Sequence, residues 1–153
     1  MTDMVSPSRI TVQVVDDHVG VAESTSNMLA SWFRVLPPAS TIDEILAPRD
    51  PAQVADVVLL DLALGEVSAL THLPELAARW PATVFVIYSM HLDAIFADTA
   101  LRAGAAGYIT KTCAMTDVRD AIEDAYRGKV VVRGVRSSVP PPAHNSNSRR
   151  IAR

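Results

Sequence analysis

The amino-acid sequence predicts a doubly wound α/β domain built on a five-stranded parallel sheet. Three observations carry that reading. Short runs of β-branched and other apolar residues, at 10–15 (ITVQVV), 57–60 (VVLL) and 83–88 (TVFVIY), have the continuous hydrophobicity of strands buried on both faces. Helical patterns lie between these runs, and alternating strands and helices require crossover connections, hence a parallel sheet with helices on both sides. The chain has 153 residues, 49% of them hydrophobic and 20% charged, which suits one compact core with a terminal appendage.

The elements follow in order. After the first strand, Val21, Met28, Leu29 and Trp32 recur at helical spacing and predict a helix over 19–32 with that stripe inward. The second strand, near 34–39, is the weakest, because Pro37 and Pro38 remove two backbone donors and proline is tolerated mainly on sheet edges. In the flavodoxin-like strand order 2-1-3-4-5 the second strand is an edge, so the poorest strand falls where the order accepts it. Thr41 and Glu44 form a capping box that starts a short helix before the turn at 48–51. Pro74 interrupts the helical segment 68–79 and predicts a kink or a late start near Leu73. A fourth helix over 92–102 is closed by Gly104. Val118, Ala121, Ile122, Ala125 and Tyr126 mark the fifth, with Thr116 as N-cap and Gly128 as C-cap.

Beyond Gly128 the periodicity dissolves into a Ser-, Pro- and Asn-rich stretch. The folded body is therefore expected over 8–130, with 131–153 a basic linker or disordered tail, mobile across 140–153. Charge divides the same way. Residues 1–126 hold all 17 Asp and Glu and half of the 14 Lys and Arg; residues 127–153 hold the other half and no acid. A single cysteine, Cys113, excludes an internal disulfide, and no Cys/His cluster has zinc spacing. With no apolar leader and no apolar run near 20 residues, a reducing, cytoplasmic setting without membrane contact is expected.

In an open parallel sheet, ligands bind beyond the carboxyl ends of the strands where the strand order reverses. That rule selects Asp16 and Asp17 after the first strand, Asp61 after the third, Ser89 after the fourth and Lys111 after the fifth. Three carboxylates brought together repel unless a cation or protons compensate, and an all-oxygen cluster suits a hard ion such as Mg²⁺. Lys111 adds a positive charge and Ser89 a hydroxyl. Singly, each residue has an ordinary structural explanation as a cap, turn or solvated side chain; jointly they do not. His18, His72, His91 and His144 lack metal spacing and read as surface or rim residues, and Cys113 as a bystander.

The stretches VQVVDDHV, DVVLLDLALG, VFVIYSMH and RAGAAGYITK resemble the bacterial response-regulator receiver family, within it the nitrate-regulator-like branch, over most of residues 10–128. The resemblance implies Asp61 as phosphoacceptor, Asp16 and Asp17 as Mg²⁺-binding acids with the Ala63 backbone carbonyl as a further ligand, Ser89 as the hydroxyl that follows the phosphoryl group, and Lys111 as its ion-pair partner. Tyr108 falls at the family's aromatic switch position. A sensor histidine kinase as donor, a homodimer formed on phosphorylation, and transcriptional control through a helix-turn-helix output domain are implied in the same way. No such pattern follows Gly128, so DNA contact is expected only through an output domain outside this sequence, whether the chain is a receiver cut within its linker or one that stands alone. Two departures stand out: Ala63-Leu64-Gly65 where many relatives have proline, which predicts a looser loop, and Val19-Gly20 after the acidic pair.

Other classes fit less well. A flavin carrier of the same fold needs a loop after the first strand rich in hydrogen-bond donors, where Asp16 and Asp17 would repel a phosphate. A haloacid-dehalogenase-type phosphatase needs a second acid at the position of Ala63. A receiver-like module that binds partners without phosphorylation is the alternative the loop departures keep open.

Overall fold

A computed structural model describes residues 10–136. In chain order the elements are β1 (Thr11–Val15), α1 (Val19–Leu29), β2 (Arg34–Val35), α2 (Ile42–Leu46), β3 (Val57–Leu60), β4 (Ala63–Leu64), β5 (Val67–Ser68), α3 (Ala69–Arg79), β6 (Val84–Ser89), α4 (Ala94–Arg102), β7 (Gly107–Thr110), α5 (Met115–Tyr126) and β8 (Val131–Arg133). The main sheet is parallel throughout, in the order β2-β1-β3-β6-β7-β8, and β4 and β5 form a separate antiparallel hairpin. The first five strands of that order are the predicted 2-1-3-4-5 arrangement.

Alternation along the strands divides the core into two layers. Val15, Val58, Leu60, Phe85, Ile87 and Tyr108 face one side and pack with Ile42 and Ile45 of α2, Leu73 and Leu76 of α3, and Ala97 and Ala100 of α4. Val12, Val14, Val57, Leu59, Val86 and Ile109 face the other, against Ala22 and Leu29 of α1 and Val118, Ala121, Ile122 and Ala125 of α5. β2 stops at two residues, as its prolines require, and pairing with β1 resumes only at a single Val15–Ala39 bridge.

Several local expectations change. The buried stripe of α1 is Ala22, Thr25, Ser26 and Leu29, while Val21 and Met28 are 44% and 49% exposed. Small residues let this helix lie close to the sheet, and that displaces the larger apolar side chains to its flank. The third helix does not start late: Ser68 caps it by accepting from the Leu70 N–H, and Pro74 sits inside it. Ala114, not Thr116, is the N-cap of α5, whereas Gly128 takes the positive φ of +92° expected just past its end. The capping box at Thr41 forms as read, with Glu44 N–H donating to Thr41 Oγ1 at 3.2 Å.

The sheet has a sixth strand, so the five-strand count is corrected. Residues 131–133, read from sequence as the start of a linker, pair with β7. Gly107 makes the approach possible, since a Cβ there would collide with Val131, its carbonyl oxygen 2.7 Å away. The segment then continues across the sheet end: Arg136 N–H donates to Leu92 O at 2.8 Å and Ala94 N–H to Arg136 O at 3.1 Å. Residues 137–153, including the stretch expected to be mobile, lie outside the described residues. No helix among the described residues is long and apolar enough to cross a membrane.

Candidate functional site

The rim at the carboxyl ends of β1, β3, β6 and β7 gathers the five residues singled out above. Asp16 follows β1 and is 2% exposed, Asp61 follows β3, Ser89 ends β6, and Lys111 follows β7. Backbone bonds continue the ladders past the strands and fix these positions: Asp61 N–H donates to Val15 O at 2.9 Å and Lys111 N–H to Ser89 O at 2.7 Å. Lys111 Nζ bridges two acids, 2.6 Å from Asp16 Oδ2 and 3.5 Å from Asp61 Oδ1.

Asp17 is tied elsewhere. Its Oδ2 accepts the Gly65 N–H at 2.7 Å, which anchors the β4–β5 hairpin to the acidic pair. The loop after Asp61 is thus closed rather than loose. Gly65, at φ +65°, occupies the first central position of a two-residue turn, the place a type II′ turn reserves for glycine. Ala63 lies in that hairpin and, with Asp61, lines a cavity of about 650 Å³. Val21, Met28, Tyr88, Met90 and Met115 form the apolar wall of the same cavity, and Lys111 and Ser89 its polar end.

Electrostatics separate the two buried acids. Burial pushes Asp16 upward, but the Lys111 hydrogen bond, the His18 backbone N–H and the lysine charge outweigh it and hold the carboxyl below the usual range. Asp61 goes the other way: burial, reinforced by the charge of Asp16, raises it despite Lys111. The cluster therefore holds more negative charge than one lysine balances. Carboxylate oxygens of Asp16, Asp17 and Asp61 and a ring nitrogen of His18 lie within 4.8 Å of one another, a donor set that fits a divalent cation.

Ser89 and Tyr108 are linked through His91. Ser89 is 1% exposed and its Oγ accepts the His91 N–H at 3.1 Å; the buried Tyr108 hydroxyl donates to the His91 carbonyl at 2.8 Å. Burial, with the Asp61 charge added, raises the Tyr108 phenol despite its contact with Ser89, so it is a donor at neutral pH. The His91 ring stacks on Phe96 of α4 with centroids 4.4 Å apart. The sequence reading missed two participants here. His91 was read as a rim residue, and His18 likewise, although its adjacency to Asp17 was the available signal.

Comparison with known proteins decides the family. Residues 12–123 match the model of the response regulator receiver domain. The chain belongs to that family. This receiver is 25% identical over 150 residues to the transcriptional regulatory protein DegU of Brevibacillus brevis, covering 95% of this chain and 59% of that one. It is 30% identical over 122 residues to the glycerol metabolism activator of Pseudomonas putida, covering 78% and 55%. The receiver thus spans little more than half the length of these curated relatives. Among solved structures, a LuxR-family two-component response regulator from Aurantimonas sp. SI85-9A1 superposes with TM-score 0.72 at 27% identity, over 81% of this chain and 89% of that one.

Proposed function

We propose that Asp61 accepts a phosphoryl group from a sensor histidine kinase in a Mg²⁺-dependent reaction, and that the receiver passes this state to a DNA-binding output domain controlling transcription. The observation that carries the reading is Lys111 Nζ placed between Asp16 and Asp61, beside a carboxylate cluster and at the polar end of an open cavity. In the transfer, an Asp61 oxygen bonds to phosphorus as the phosphorus–nitrogen bond of the donor phosphohistidine breaks and its imidazole leaves with a proton. Asp16, Asp17 and Asp61, with the Ala63 carbonyl, would hold the cation, which would neutralise charge on the phosphoryl oxygens. Lys111 pairs with one of those oxygens. Buried Asp16 fixes the lysine beside the acceptor. The receiver catalyses only this transfer and the later hydrolysis of its own acyl phosphate, in the cytoplasm.

Propagation follows the hydrogen bonds. A phosphoryl group on Asp61 draws Ser89 Oγ toward it and away from the His91 N–H, which loosens the segment held by Tyr108. That segment is bonded to Arg136 through Leu92 and Ala94, so the shift reaches the chain that leads out of the domain, as well as the α4 surface on which a phosphorylated homodimer forms. The test is intact-mass spectrometry after incubation with acetyl phosphate and Mg²⁺. One added phosphoryl group, removable by hydroxylamine and absent from Asp61→Asn, is expected; equal labelling of folded Asp61→Asn, or none of the wild type by small donor or kinase, would leave the phosphorylation-independent module.

A further inference from the structure

We propose that His18 is a nitrogen ligand of the cation held at this site, tilting its preference from Mg²⁺ toward borderline transition-metal ions such as Ni²⁺. The inference rests on the cation-dependent reading above and concerns which ion the site favours.

The His18 Nδ1 lies 3.2 Å from Asp17 Oδ1 and 3.3 Å from Asp16 Oδ1. Neighbouring ligands on an octahedron with bonds of about 2.1 Å stand about 3.0 Å apart. The ring nitrogen is therefore close to the spacing of a ligand edge with both carboxylates at once. A donor proton on Nδ1 would be divided between two acceptors at long range, whereas one shared cation satisfies all three atoms.

The surrounding bonds leave these atoms facing one another. Asp16 Oδ2 is taken by Lys111 and Asp17 Oδ2 by the Gly65 N–H, so the two Oδ1 atoms are those turned toward the ring. His18 is held there by its own backbone: its N–H donates to Asp16 Oδ1 at 2.9 Å, and its carbonyl accepts the Ala22 N–H at the start of α1. The ring itself is 73% exposed, open to an ion arriving from solvent. Oxygen-only donor sets suit Mg²⁺, while an imidazole nitrogen raises affinity along the series from Mn²⁺ to Ni²⁺.

The test uses the full chain. Ni²⁺ and Mg²⁺ affinities are measured by calorimetry for wild type, His18→Ala and His18→Asn, and the Mn²⁺ complexes, used as a paramagnetic reporter of the ligand set, are examined by electron spin-echo envelope modulation. Wild type should show nitrogen-14 modulation from one imidazole, lost in both variants. His18→Ala should weaken Ni²⁺ binding about tenfold and Mg²⁺ binding by less than about threefold. A wild-type complex without nitrogen modulation, equal losses for the two ions, or tighter binding of both in His18→Ala, as for a ring that plugs the site, would each overturn the assignment. Failure of wild type to bind either ion, or unchanged binding in Asp17→Asn, would instead remove the cation reading and the role of His18 with it.

Discussion

Replacing Lys111 by Met removes the positive partner of two acids and keeps most of the side-chain volume. Asp16, 2% exposed and 2.6 Å from Nζ, is then a buried carboxylate facing the charge of Asp61. Breaking a buried pair in this way costs about 3–5 kcal/mol. Protonation sets a ceiling: neutralising a carboxyl of ordinary pKa near 3.9 takes about 1.4 kcal/mol per pH unit, about 4 kcal/mol at pH 7 and about 1.5 kcal/mol at pH 5. The expected loss is therefore about 3 kcal/mol at pH 7, shrinking to half or less at pH 5.

The sign follows from linkage. In the wild type the folded pKa of Asp16 is depressed, so its contribution is present above the unfolded pKa and is lost as pH falls through the folded one. Without Lys111, burial and Asp61 raise the folded value, and the variant gains relative stability as pH falls through it. Urea unfolding measures both limbs. With a slope of about 2 kcal/mol per M, the midpoint should drop by about 1.5 M at pH 7 and distinctly less at pH 5. No drop at pH 7, or a gap that widens on acidification, would overturn this reading of Lys111.

Other perturbations probe the remaining links. Asp61→Asn should raise the urea midpoint at pH 7, because a buried acid with a raised folded pKa costs stability when ionised, and the gain should fade as pH falls toward 4. Gly134→Val forces a β-branched residue to φ +83° with its Cβ 2.7 Å from Cys113 Sγ; a loss of about 1–3 kcal/mol is expected, with hydrogen-exchange protection lost at Val131 and Arg136 but kept in β3 and β6. Tyr108→Phe deletes the bond from the buried phenol to the His91 carbonyl, for about 1 kcal/mol by thermal unfolding. It should also weaken phosphorylation-dependent dimerisation in sedimentation, and undiminished dimerisation would remove Tyr108 from the relay.

The parts legible in the sequence are those fixed by strand ends. Runs such as VVLL at 57–60 declare a doubly buried strand, and each is followed directly by a polar residue, so Asp16, Asp61, Ser89 and Lys111 fall on one rim with no knowledge of side-chain packing. Partnerships that depend on distant chain segments were not legible. The strand at 131–133 exists because Gly107, far back in the chain, leaves room beside β7, and three valines after a glycine do not reveal that partner. Helical periodicity for α1 chose Val21 and Met28 over Ala22, Thr25 and Ser26, since periodicity weighs hydrophobicity and not how closely a helix approaches the sheet. His18 and His91 carry no motif; one acts through a ring placed by its own backbone, the other through its main-chain N–H and carbonyl.

The central claim is that the phosphoryl group resides on the Asp61 carboxylate, and reductive trapping addresses that atom directly. Borohydride added to receiver treated with acetyl phosphate and Mg²⁺ reduces an acyl phosphate to a primary alcohol, and peptide mass spectrometry then locates the altered residue. Reduction at position 61, dependent on Mg²⁺ and abolished in Asp17→Asn, is expected from the geometry of the rim. Reduction at Asp16 or Asp17 with Asp61 untouched would place the acceptor elsewhere in the cluster and reverse the roles assigned to these carboxylates.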